Sequence, residues 1–224
     1  MPVSVVLLLV VVPVAVAYGL YFAEGPRVRR MMRKAPLRRI ADWPEGQLGR
    51  IAGTIADGPA LEAPLTGRRC VYYLVTVDER RRSGKRSHWS ELAREERCVP
   101  FAVLDGSGRA LVDPAQAQVL SGTDARSRSG TFDDPDPREA AFLARHREDG
   151  KSFFGFNQKL RYAEAVLEIG ERVAVVGMPL REPDPDAVAQ VSGYRDGPPT
   201  RVRVGPGPAG GPFVTDHPGT VDAP

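Results

Sequence analysis

The feature that most restricts this chain is the run over residues 3–23, VSVVLLLVVVPVAVAYGLYFA, which holds no charged side chain. At about 1.5 Å of rise per residue such a helix spans roughly 30 Å, the thickness of a bilayer's hydrocarbon core. Pro13 and Gly19 would weaken a helix in water, but membrane helices tolerate both. The competing reading is a cleaved leader, since AVA at positions 15–17 resembles a small-residue cleavage site. No Lys or Arg precedes the run, and apolar residues continue to Ala23, so residues 1–24 are predicted to form a transmembrane anchor.

Residues 27–39, RVRRMMRKAPLRR, bring seven basic side chains and no acidic one. The formal charge of the whole chain is +3, so the remainder carries −4 and the basic pI is a local property. Positive charge placed only after the span predicts a single-pass membrane protein with its N-terminus outside and its main domain cytoplasmic. Arg27, Arg29, Arg30, Arg33 and Lys34 are the candidate membrane-surface residues, suited to anionic lipid headgroups. Such a cluster can also hold nucleic acid, but beside a span the headgroup reading takes precedence, and no nucleic-acid partner is expected.

A reducing compartment would leave Cys70 and Cys98 as free thiols. Each sits in an apolar strand pattern with no histidine placed beside it, which fits inert buried cysteines better than nucleophiles. The three histidines, His88, His146 and His217, share no zinc-site spacing with them, and there is no Walker loop, nucleophile elbow or calcium loop. Gly205, Gly207 and Gly210 spell the dinucleotide-binding pattern GxGxxG, yet Pro206, Pro208 and Pro212 forbid the helix that should follow. The residues therefore point to no catalytic group, no metal and no cofactor. His146 and His217, in polar surroundings, read as solvated.

About 180 residues remain, enough for one domain with its own core. GQLGRIAGTIAD, residues 46–57, alternates as a strand whose glycines suggest a bend or bulge. Residues 68–79, RRCVYYLVTVDE, read as a buried strand, and CVPFAVLD as another. Between them RRRSGKRSHWSELAREER reads as a long, solvent-exposed hairpin connection. Asp-Gly-Ser-Gly at 105–108 predicts a hairpin, and Asp113 with Pro114 a short helix through residue 120. Residues 121–150 read as a mobile insertion with a short helix in DPREAAFLARHRE. In KLRYAEAVLEIGE, Leu160, Ala163, Val166 and Leu167 fall on one helical stripe stopped by Gly170, with RVAVVGM the strand that follows. VAQVSG, TRVRVG and PFVTD are weaker strands, the last in a Gly/Pro-rich tail over 205–224. The fold class predicted is mainly β with a few helices, OB-like or another small barrel, besides the membrane helix.

Taken in order, GTI, APLTGRRCVYY, Trp89, VPFAVLDGSGRALVDP, LRYAEAVLEIGERVAVVG and PFVTD resemble the GIDE family over residues 46–221. These are membrane-anchored E3 ubiquitin ligases of the mitochondrial outer membrane, with plastid and prokaryotic relatives. The resemblance implies that residues 43–204 form a BAM ("beside a membrane") domain following a basic juxtamembrane segment, 25–42. In the family this domain lies between two membrane helices and is followed by a RING finger. The sequence stops at Pro224, where the family places its second membrane helix. A RING needs four Cys/His ligands for each of two zinc ions, and the sequence holds two cysteines and three histidines. Ubiquitin transfer is implied by the resemblance alone, not by residues.

The expected function is accordingly a membrane-anchored cytosolic binding or scaffold module with a protein partner; the alternative is a ubiquitin-transferase-related enzyme. In the charged connection seven basic residues surround His88 and Trp89. An aromatic anchor amid arginines suits a partner surface, so His88, Trp89, Arg81 and Arg82 are the candidate partner-binding residues. The alternative for Trp89 is packing on a sheet.

Overall fold

A computed structural model describes residues 28, 30–83, 86–129, 135–148, 159–184 and 200–223. Its strands, in chain order, are β1 (Gly49–Ile55), β2 (Leu61–Glu62), β3 (Arg69–Ser83), β4 (Arg86–Cys98), β5 (Phe101–Leu104), β6 (Arg109–Val112), β7 (Gln118–Val119), β8 (Ala125–Ser129), β9 (Leu160–Glu168), β10 (Arg172–Pro183), β11 (Thr200–Gly205) and β12 (Phe213–Thr215). Helix α1 (Pro137–Glu148) lies between β8 and β9, and the single turn α2 (Pro218–Val221) follows β12. The chain is mainly β with few helices. Among the described residues no helix is long and apolar enough to cross a membrane, and the predicted span over 1–24 lies outside them.

Five strands pair in a closed ring. β1 joins β5, β5 joins β6 and β10 joins both β11 and β1, all antiparallel, while β6 and β11 are parallel. This is the arrangement of a small OB-like barrel. Alternation fills its interior: Ile51 and Ile55 meet Val103, Ala110, Val112, Val173, Val175, Val202 and Val204 in one cluster. Of the bend or bulge expected in β1, no bulge interrupts its pairing with β10, whose register runs unbroken from Gly49 to Thr54, and its glycines permit close packing. A Cβ on Gly53 would stand 2.2 Å from the carbonyl oxygen of Leu104, so only glycine lets β5 come this near. The Asp-Gly-Ser-Gly hairpin forms as predicted between β5 and β6. Asp105 accepts from the Ser107 and Gly108 amides and from that of Ile40 at 2.7 Å, which holds the preceding segment against the barrel.

The second sheet runs β2-β3-β9-β8, with β4 also on β3. Opposite β9, the other edge of β3 takes β2 at Arg69 and Cys70 and then β4 from Tyr72 to Ser83. Two expectations are corrected here. Residues 80–83 and 86–97 are not loop: β3 and β4 continue as a long ladder through Ser83 paired with Arg86. LRYAEAVLE is not a helix but β9, paired with β3 from Cys70 to Glu79. Tyr162, Glu164 and Val166 point to one side and Ala165 and Leu167 to the other, and all five are buried. A strand covered on both faces loses its alternation and shows an apolar pattern that a helical stripe fits as well.

Ile169 and Gly170, the latter at φ +84°, turn the chain from β9 into β10 and so from one sheet to the other. Gly170 is thus a turn residue, not a helix stop. The short helix expected after Asp113 is one turn, held by Asp113 accepting from Ala115 and Ala117, after which β7 pairs in parallel with β12. Of residues 121–150, read as a mobile insertion, 125–129 form β8 and 137–148 form α1. α1 starts at a reciprocal cap, Arg138 N–H to Asp136 and Asp136 N–H to Glu139, with Pro137 in its first turn. Its Phe142 is buried against Tyr73, Val75, Val77 and Val166 of the second sheet. VAQVSG lies outside the described residues.

Candidate functional site

Register decides which side chains of the β3–β4 hairpin share a face. Arg80 is opposite Trp89, Arg81 opposite His88 and Arg82 opposite Ser87. Trp89 and Arg82 therefore stand on one face and His88 and Arg81 on the other, so the four candidate partner residues divide two and two. Trp89 is 37% exposed, neither buried in a core nor free: the Arg161 guanidinium lies over its ring, 4.7 Å from the centroid. Arg161 is itself fixed by Asp78 at 2.7 Å. Arg81 pairs with Glu79, a carboxylate left only 4% exposed.

The Trp89 face is an open sheet surface. Successive cross-strand rows run Arg128, Arg161, Asp78, Glu91 and Arg126, Ala163, Thr76, Arg94 through β8, β9, β3 and β4. Further toward the barrel the same face is covered, with Tyr72, Leu74 and Leu167 packed into the barrel cluster.

The other face lies under α1 and carries a polar group that sequence reasoning missed. Tyr73 donates to Glu95 at 2.5 Å; around the same carboxylate are Arg97 at 3.1 Å, His146 Nε2 at 3.6 Å and Arg145 at 3.9 Å. Burial first, then the bond to Glu95, raises the Tyr73 phenol well above its ordinary pKa. His146 Nδ1 is 2.9 Å from the Phe142 carbonyl, so the residue read as solvated packs between helix and sheet. The (i, i+4) spacing of Phe142 and His146 was the available signal. His217, likewise read as solvated, caps α2 by accepting from Gly219 N–H.

Neither cysteine is poised for attack. Burial foremost, then Glu164 and Glu168, pushes Cys70 to about 11, and burial followed by Glu96 pushes Cys98 to about 12. Both are thiols at neutral pH, whereas reactive cysteines are depressed. Among the described residues no group of three His, Cys, Asp or Glu is placed to hold a metal ion. The GxGxxG glycines form a tight turn in which Gly207 and Gly210 exchange backbone hydrogen bonds.

Of the candidate membrane-surface residues, Arg27 and Arg29 lie outside the described residues and Arg30, Arg33 and Lys34 are exposed. They sit on a helical turn whose Met32 and Ala35 are buried against Val176 and Phe213. The basic segment is thus docked on the barrel. Beside it Arg50, with no exposed surface, donates to the carbonyls of Arg33 at 3.3 Å and Ala223 at 2.6 Å.

The fold is that of an OB-like barrel joined to a second, antiparallel sheet. A family model named GIDE and described as E3 ubiquitin ligase matches residues 72–188, just over half of the chain. The chain belongs to the GIDE family. No curated protein and no solved structure matches it.

Proposed function

We propose that the chain is a membrane-anchored binding or scaffold module, held by residues 1–24 with its GIDE domain on the cytoplasmic side, that engages a protein partner through the outer half of the β3–β4 hairpin. The observation that carries this reading is the open face around Trp89, where an aromatic ring and arginines stand exposed on the second sheet. Exposed Arg30, Arg33 and Lys34 would meet anionic headgroups, and their docking through Met32 would keep the domain close to the bilayer. The description of the family model favours a second reading, a role in ubiquitin transfer. The raised thiols of Cys70 and Cys98 speak against a cysteine relay within this chain.

The test places a photo-crosslinking amino acid at Ser87 or, on the opposite face, at His88, in the full chain within intact cells. A discrete adduct from position 87, diminished by Trp89→Ala, is expected. Adducts from position 88 alone, or none from either, would refute the assignment. Zinc-dependent ubiquitin transfer by the purified chain would favour the second reading.

A further inference from the structure

We propose that the open face of the second sheet receives an acidic, extended segment of a protein partner. This rests on the reading of the hairpin as a binding surface and adds the chemistry of what it binds. The register rows put Arg80, Arg82, Arg94, Arg126, Arg128 and Arg161 on this face with Asp78, Glu91 and Glu96, a surplus of three positive charges. Residues 43–224 hold 24 basic and 26 acidic side chains, a net charge of −2, so this surplus is segregated rather than a reflection of composition.

Three arginines are already engaged, Arg161 by Asp78, Arg94 by Glu96 and Arg80 by the uncharged hydroxyl of Ser87. Among the described residues no carboxylate lies within ion-pair distance of Arg80, Arg82, Arg126 or Arg128, and all four are exposed. Arg126 and Arg128 sit two residues apart on β8, as do Arg80 and Arg82 on β3, giving a spacing of about 7 Å along each strand. Acidic side chains at alternate positions of an extended peptide recur at the same interval, and guanidinium is the group suited to pair them.

The alternatives fit less well. A single nucleic-acid strand needs several free aromatic faces for stacking, and Trp89, the one aromatic residue among the rows of this outer face, has Arg161 on one side of its ring. A bilayer presents uniform negative charge and would meet three carboxylates within the array. A protein segment can pattern its charges to suit both signs.

The test titrates the full chain, in a neutral detergent, with a fluorescent peptide of alternating Glu and Ser and with its Gln-Ser counterpart. The Glu-Ser peptide should bind, and about 0.3 M salt should weaken it. Arg126→Glu/Arg128→Glu should reduce affinity about tenfold or more, and the Arg126→Gln/Arg128→Gln pair by less, whereas Arg39→Glu/Arg109→Glu, with the same change in net charge on other surfaces, should leave it unchanged. Equal binding of the two peptides, or equal loss in the Arg39/Arg109 pair, overturns the proposal. So does tighter binding of phosphatidylglycerol vesicles or an oligothymidylate through Arg126 and Arg128. A position-87 adduct in cells without Glu-Ser binding would leave the module reading standing and remove only the acidic chemistry.

Discussion

Glu164 shows what a single side chain contributes to this fold. It lies in β9 with no exposed surface, accepting from the amides of Leu65 at 2.8 Å and Thr66 at 3.1 Å and from the Thr66 hydroxyl at 2.5 Å. Two of the stretches that carry the family resemblance, APLTGRRCVYY and LRYAEAVLEIGERVAVVG, are thereby tied through one carboxylate. Glu164→Leu should lower stability by about 2–4 kcal/mol in urea unfolding, because the Leu65 and Thr66 amides and the Thr66 hydroxyl lose a charged acceptor. Glu164→Gln, which keeps one acceptor oxygen, should cost less. A buried glutamate was invisible in the sequence for a physical reason: its partners are 98 and 99 residues away, and an acidic residue in an apolar run reads as the solvent side of a helix.

At the scale of elements, legibility followed burial. β1 and β11 show alternating positions, β5 and β6 are apolar runs around the Asp-Gly-Ser-Gly turn, and all four were predicted as strands. β9, covered on both faces, was misread as a helix, its Ala, Leu and Glu favouring helix while pairing with β3 imposed a strand. The outer half of the hairpin failed for the opposite cause. Beyond Val77, β3 reads Asp-Glu-Arg-Arg-Arg-Ser, with little apolar surface on either face to mark a period of two. Its extension is imposed by the ladder already begun in the buried half. The candidate residues were found from composition, but their division between two faces needed the register, since a shift of one position exchanges them. The two faces should respond differently to truncation. Phe142→Ala, removing the buried anchor of α1, is expected to cost about 3–5 kcal/mol. Trp89→Ala should cost only about 1 kcal/mol, the scale of an exposed cation–π contact. Thermal melts of the two variants make the comparison, and equal losses would show Trp89 to be a packing residue.

Over the whole molecule, the features nearest the ends of the described chain prove to be structural. Arg50 holds the carbonyls of Arg33 and Ala223 within about 8 Å of each other, the reach of one guanidinium through two hydrogen bonds. Arg50→Met should lower the unfolding free energy by about 2–4 kcal/mol. Amide exchange should accelerate at residues 30–38 and 218–222 more than in β10. Uniform acceleration would mean that the residue supports the barrel rather than the clasp. The same contact decides how the domain meets mechanical load. Tension drawn through residues 30 and 223 falls on the guanidinium and on the short pairing of residues 36–38 with Arg50, not on the long ladders of the barrel. A pull of that kind would open the clasp and bare Met32 while the β3–β4 hairpin kept its shape.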